Sequence, residues 1–143
     1  MKNEISIALA QVNPTVGDID RNITLLLKTR ADAKKKNAEL LVAGELIVSG
    51  YPPEDLVLKP SFLDHIQEKV TALARETKDE GPALLIGTPW RENGSLFNAV
   101  MLLEQGKISA IRYKSFLPTY GVFDEDRVFE KGPMSGPISF NGV

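Results

Sequence analysis

Three ionisable positions in this sequence stand where chemistry can be done. Glu45 follows the apolar run "AELLVAGEL" (38–46) and opens the loop "SGYPPEDLVLKP". Lys114 follows the run "ISAIRY", and the pair Asp124–Glu125 ends the aromatic-rich stretch "YKSFLPTYGVFDE" (113–125). Ligands in α/β sheets gather beyond the carboxyl ends of strands. A carboxylate desolvated there is a general-base candidate, and an ammonium there can stabilise a developing oxyanion. Each residue also has a plainer reading: Glu45 as a loop cap or surface ion pair, Lys114 as an exposed lysine. Tyr51, between Gly50 and Pro52, could wall a pocket or pack under its loop. Two adjacent carboxylates raise the question of a metal, but no third oxygen ligand stands at a suitable spacing, and no metal is expected.

The elements that must position these residues can be read from periodicity. "ISIALAQV" (5–12) reads as a buried strand, and "NPTVGD" breaks it. Asp18 or Asp20 can cap a helix over 22–37, with Ile23, Leu26, Leu27, the aliphatic stem of Arg30 and Ala33 on one face. Lys34, Lys35 and Lys36 suit the solvated end of that helix. Residues 38–46 read as a second buried strand, 61–78 as a second helix and 82–90 as a third strand. Asn93-Gly94 is a hairpin signal. "LFNAVMLLE" and "KISAIRYK" are two further strands about a turn at Gln105–Gly106. This order predicts an α/β fold whose mixed sheet carries its helices on one face. "PISFNGV" reads as a short strand and an Asn-Gly turn with no returning strand. That pattern suggests a chain cut before its domain is complete, or else a frayed tail.

Composition narrows the function classes. The chain has 143 residues, the size of one domain, and a net charge of −2. No basic surface argues for nucleic acid, no apolar run is long enough to span a bilayer, and Glu4 interrupts the opening "MKNEISIALAQ", so it lacks a signal-peptide core. The reading is cytoplasmic. There are no cysteines, which excludes disulfides, thiolate metal sites and a cysteine nucleophile within these residues. The single histidine, His65, lies in a helical pattern with no partner spacing and reads as surface.

Taken in order, "IALAQVNPTVGDIDRNI", "GELIVSGYPPEDLVL" and "LFNAVMLLEQGKISAIRYKSFLPTYGVFDEDRVFEKG" resemble the nitrilase (carbon–nitrogen hydrolase) superfamily over essentially the whole chain. "GYPPEDL" and "LPTYGVFDE" are similar to the branch that forms the N-terminal glutaminase domains of glutamine-dependent NAD+ synthetases. The resemblance implies a four-layer α–β–β–α sandwich, of which 1–143 would be roughly the first half. It implies a Glu–Lys–Cys triad with Glu45 as base and acid, Lys114 as oxyanion stabiliser and Glu125 as a supporting carboxylate. Tyr51, Tyr120 and Phe123 would help hold glutamine. Gly44 stands where the family commonly has proline before the base. The family's cysteine lies shortly after a segment like "GPISFNGV", where this sequence stops, so truncation and an inactive isolated chain are expected. ATP, Mg2+ and deamido-NAD+ would belong to a C-terminal synthetase domain, for which the chain has no Gly-rich phosphate loop. Homo-oligomers and an apolar surface where further strands would dock are also implied. The competing readings are a stand-alone amidase for another small amide and a non-catalytic assembly module.

Overall fold

Apolar alternation and turn residues divide the chain into five strands and two helices among residues 4–143, which the computed structural model describes. Met1–Asn3, the start of the leader reading, lie outside the described residues. The strands are β1 Ile7–Leu9, β2 Leu40–Val42, β3 Ala83–Glu92, β4 Ser95–Glu104 and β5 Lys107–Tyr113. They form one sheet in sequence order, parallel across β1–β2–β3 and antiparallel across β3–β4–β5. The expected mixed sheet is therefore present. Both hairpin turns place their central pair at positive φ (Asn93 and Gly94, Gln105 and Gly106), the twist that two-residue hairpins need.

Helix α1 spans Ile19–Lys35, three residues earlier than the apolar period indicates, because the Asp18 side chain caps it by accepting from the Arg21 amide at 3.1 Å. Helix α2, Pro60–Glu76, begins on proline, whose missing N–H and fixed φ suit a first turn. Its buried stripe is Leu63, Ile66, Val70, Leu73 and Ala74, with Phe62 half-buried against the core. The two helices pack against each other. Leu26 of α1 and Ile66, Val70 and Leu73 of α2 share a core with Leu41, Leu84, Ile86, Met101 and Leu103 of the sheet. Arg30 does more than lend its stem to this face. It is buried, its Nε donates to the Pro82 carbonyl at 2.7 Å, and its Nη2 meets Asp79 at 2.5 Å. That guanidinium, ahead of other effects, holds the Asp79 carboxyl well below its ordinary range.

The opposite face of the sheet is also apolar. Leu40, Ala83 and Leu102 form a second cluster with Val42, Leu85, Ala110 and Phe140, while Ile7, Leu9 and Val100 stand exposed. The molecule thus has two layers, helices on sheet, with an apolar surface on the far side. This corrects three strand expectations. β1 and β2 are three residues each, not eight and nine, because the chain leaves the sheet for the loops that build the site. β1 is not buried on both sides. Residues 137–140 make no strand; the turn at Asn141–Gly142 closes on itself through paired Phe140 and Val143 backbone bonds at 2.9 and 3.0 Å. No described helix is long and apolar enough to cross a membrane.

Candidate active site

The glutamate turn is built on a close backbone approach. After β2 the Ala43 amide still bonds the Leu85 carbonyl at 2.9 Å, and the chain then turns over Glu45–Ser49. Leu46, Ile47 and Val48 are buried, so the turn is nailed into the core. It rests directly on β3 at Gly87, where a Cβ would stand 2.4 Å from the Leu46 amide nitrogen and 2.9 Å from the Glu45 Cα. Only glycine permits that contact. Asn22, fully buried in α1, donates from Nδ2 to the Val48 carbonyl at 3.0 Å and to the Thr15 carbonyl at 2.8 Å, and accepts from the Thr15 amide at 2.8 Å. The Tyr51–Pro52 bond that follows the turn is cis.

Lys114 is positioned in the same manner from the far edge of the sheet. Its amide donates to the Asn98 carbonyl at 2.8 Å and its carbonyl accepts from the Gly132 amide at 2.9 Å. Gly132 passes so close over β5 that a Cβ would stand 2.3 Å from that of Tyr113. Glu125 starts a short 3-10 turn, Glu125–Arg127, and its amide donates to the Pro118 carbonyl, closing the loop on itself. Arg127 on that turn pairs with Asp124, Glu54 and Asp55, tying the loop to the Tyr-Pro-Pro segment.

These elements bring Glu45, Lys114 and Glu125 together. Lys114 Nζ lies 2.7 Å from Glu45 Oε1 and 3.0 and 3.1 Å from the two Glu125 oxygens. The Tyr51 hydroxyl donates to Glu125 Oε1 at 3.0 Å. The side chains of Glu45, Lys114 and Glu125 are 47%, 30% and 6% exposed. That gradient separates their roles. An ion pair as open as Glu45–Lys114 adds only about 0.2–1 kcal/mol of stability, so stability alone does not account for its geometry. A carboxylate as buried as Glu125 has to be paired, since an uncompensated buried charge costs about 3–5 kcal/mol.

Burial alone would lower the Lys114 pKa, but the bonds it donates to Glu45 and Glu125 outweigh that and hold the ammonium above the ordinary lysine value. Lys114 is therefore a cationic donor, not a base. Burial, then the bond to Glu125, pushes the Tyr51 phenol above its ordinary value, so it stays a neutral donor.

The aromatic residues separate by position. Phe123 is half-buried with its ring 6.4 Å from that of Tyr51. Tyr120 meets Phe123 edge-on at 5.7 Å but is 72% exposed, on the solvent side of the group. Glu45 borders two clefts. One, of about 350 Å3, is lined by Gly44, Asn98, Arg112 and Lys114; the other, of about 670 Å3, by Gln11, Asn13, Ile47 and Tyr51. His65 lies away from this site, 3.0 Å from Asp20. Among the described residues no group of three or more His, Asp or Glu is arranged to hold a metal ion.

Two residues of the site are not singled out by the sequence reading. Asn98 is buried in β4, and its Nδ2 donates to Glu45 Oε1 at 2.7 Å and to Glu125 Oε2 at 3.4 Å. Its signal was a lone amide in the apolar run "LFNAVMLLE". Gly87 was likewise visible as a glycine inside "ALLIGTPW", a mark of close backbone approach.

Comparison with known proteins gives a consistent picture. The sequence profile of the carbon-nitrogen hydrolases matches residues 6–140. A glutamine-dependent NAD(+) synthetase of Synechocystis sp. is 40% identical over 145 residues, a match that covers 96% of this chain and 26% of that protein. The solved glutamine-dependent NAD+ synthetase of Acinetobacter baumannii, in complex with ADP, superposes with a TM-score of 0.89 at 35% identity, over 96% of this chain and 26% of that one. The NitN amidase of Neterenkonia sp. AN1 superposes with a TM-score of 0.80 at 27% identity, over 97% of this chain and 54% of that one. The chain spans about a quarter of the length of the curated relatives it matches.

Proposed function

Because the chain belongs to the carbon-nitrogen hydrolase family, we propose that it carries the glutamate–lysine part of a site that hydrolyses the side-chain amide of glutamine and passes the ammonia to an ATP-dependent NAD+ synthetase domain. The observation that supports this best is one ammonium shared by two carboxylates of unequal exposure beside open clefts. The family resemblance implies a cysteine nucleophile, which these residues do not contain and which this reading takes from elsewhere in the full-length protein.

In this reading Glu45 takes the thiol proton and the thiolate sulfur bonds the amide carbon. Lys114 donates to the oxygen on which charge collects. Glu45 returns its proton to the nitrogen, the C–N bond breaks, and ammonia leaves a γ-glutamyl thioester. Water, losing a proton to Glu45, then opens the thioester to glutamate, and the proton returns to the thiol. Glu125 keeps Lys114 aimed and charged throughout. Tyr51 and Phe123 wall the pocket, and Tyr120 lies at its outer rim. ATP, Mg2+ and deamido-NAD+ would serve the chemistry of the synthetase domain; no glycine-rich phosphate loop precedes α1 or α2.

The likeness to the NitN amidase favours a second reading, hydrolysis of another small amide by the same groups. An ammonia-release assay with glutamine and a panel of small amides decides between the two. The full-length protein is expected to turn over glutamine foremost, and Glu45→Ala to reduce this to background. The 143-residue chain alone is expected to release none. Turnover by the isolated chain, or an unaffected Glu45→Ala protein, would overturn the proposal.

A further inference from the structure

Asn98 touches all three ionisable members of the site. Its amide nitrogen bridges Glu45 and Glu125, and its backbone carbonyl accepts from the Lys114 amide. It is 5% exposed and stands within β4, where the strand lines the cleft and its own strand and both neighbours are held in register (Pro89↔Asn98 on one side, Ala99↔Tyr113 on the other). Two carboxylates and one ammonium leave the cluster one negative charge in excess. Lys114 offers three hydrogens, and its contacts go to Glu45 and to both oxygens of Glu125.

We propose that Asn98 is a positioning residue that keeps Glu45 and Glu125 on opposite sides of Lys114 and prevents the two carboxylates from rearranging around it during turnover. An amide is suited to this for two reasons. It supplies two hydrogens in one plane from a stiff strand, so both carboxylates are oriented by one short side chain. It adds no charge, so the balance that Lys114 experiences is unchanged. Aspartate at this position would add a third carboxylate and no dependable donor; leucine would fill the space and supply none. The contact matters most for Glu45, because its turn is fixed in the core while its carboxylate reaches into an open cleft. When Lys114 turns toward the oxyanion, Asn98 is what still holds the Glu45 oxygen in line.

This inference rests on the amide-hydrolysis reading, and the test separates the two. In the full-length protein, Asn98→Leu and Asn98→Asp are compared with wild type for kcat and KM of glutamine-dependent ammonia release, alongside thermal melting. Loss of a hydrogen bond to an ionised group predicts a fall in kcat of roughly 10- to 100-fold. KM is expected to change little, with folded, cooperative melting for at least one variant. In a cycle with Glu125→Gln, the Asn98→Leu effect is expected to be clearly smaller than in the wild-type background, because the two act on one another. Unchanged kcat in a folded variant, full additivity with Glu125→Gln, or loss of fold in both variants would overturn the role. If Lys114→Ala still releases ammonia from glutamine, the reaction itself is misassigned. If Lys114→Ala is inactive while Asn98→Leu is fully active, only the role of Asn98 fails.

Discussion

Tyr51 shows how much a single donor is asked to do here. Its hydroxyl is bonded to Glu125, the most buried carboxylate of the site, and burial keeps the phenol neutral. Tyr51→Phe removes that donor and leaves the ring. Hydrogen bonds to charged groups contribute about 1.5–3 kcal/mol, so glutamine-dependent kcat/KM is expected to fall roughly 10- to 100-fold, as read by steady-state ammonia release. If Tyr51 only packs under its loop, the phenylalanine variant keeps its activity. At this scale the sequence was informative where an ionisable residue follows an apolar run, as with Glu45 and Lys114. It marks Asn98 only as a lone amide in an apolar run; its partners, 53 and 27 residues away, are not legible locally.

Among the elements, β2 and the turn after it carry the account. The strand is only Leu40–Val42, and the chain then folds back over β3 at Gly87. Gly87→Ala forces a methyl group against the Leu46 amide and the Glu45 Cα. Overpacking of this kind costs typically 1–3 kcal/mol of stability, which a lowered melting midpoint reports. The activity loss should be larger, on the order of 100-fold, because a displacement of about 1 Å at a catalytic group has that effect. Equal activity in Gly87→Ala and wild type would show that the turn does not depend on this contact. The helices were legible from their apolar period, and both hairpins from their Asn-Gly and Gln-Gly turns. The short strands were not, since "LLVA" runs apolar past the last strand residue and its break into strand and turn is set by β3, some forty residues further on.

The whole molecule has one covered and one open sheet face. Ile7, Leu9 and Val100 stand exposed beside the cluster of Leu40, Ala83 and Leu102. Single exposed apolar side chains are ordinary, but a contiguous patch on a sheet drives association. The purified 143-residue chain is therefore expected to self-associate in light scattering, and a stable monomer at high concentration would count against that. The layer order was legible from the alternation of strands and helices; what lies against the open face is not written in these residues. Lys114, held between Glu45 and Glu125, is proposed to serve amide hydrolysis and not the fold. The direct measurement is NAD+ formation by the full-length Lys114→Ala protein, once with glutamine and once with ammonium as nitrogen source. The proposed role of Lys114 predicts loss of the glutamine-dependent rate with the ammonium-dependent rate preserved. Loss of both, or retention of the glutamine-dependent rate, would contradict it.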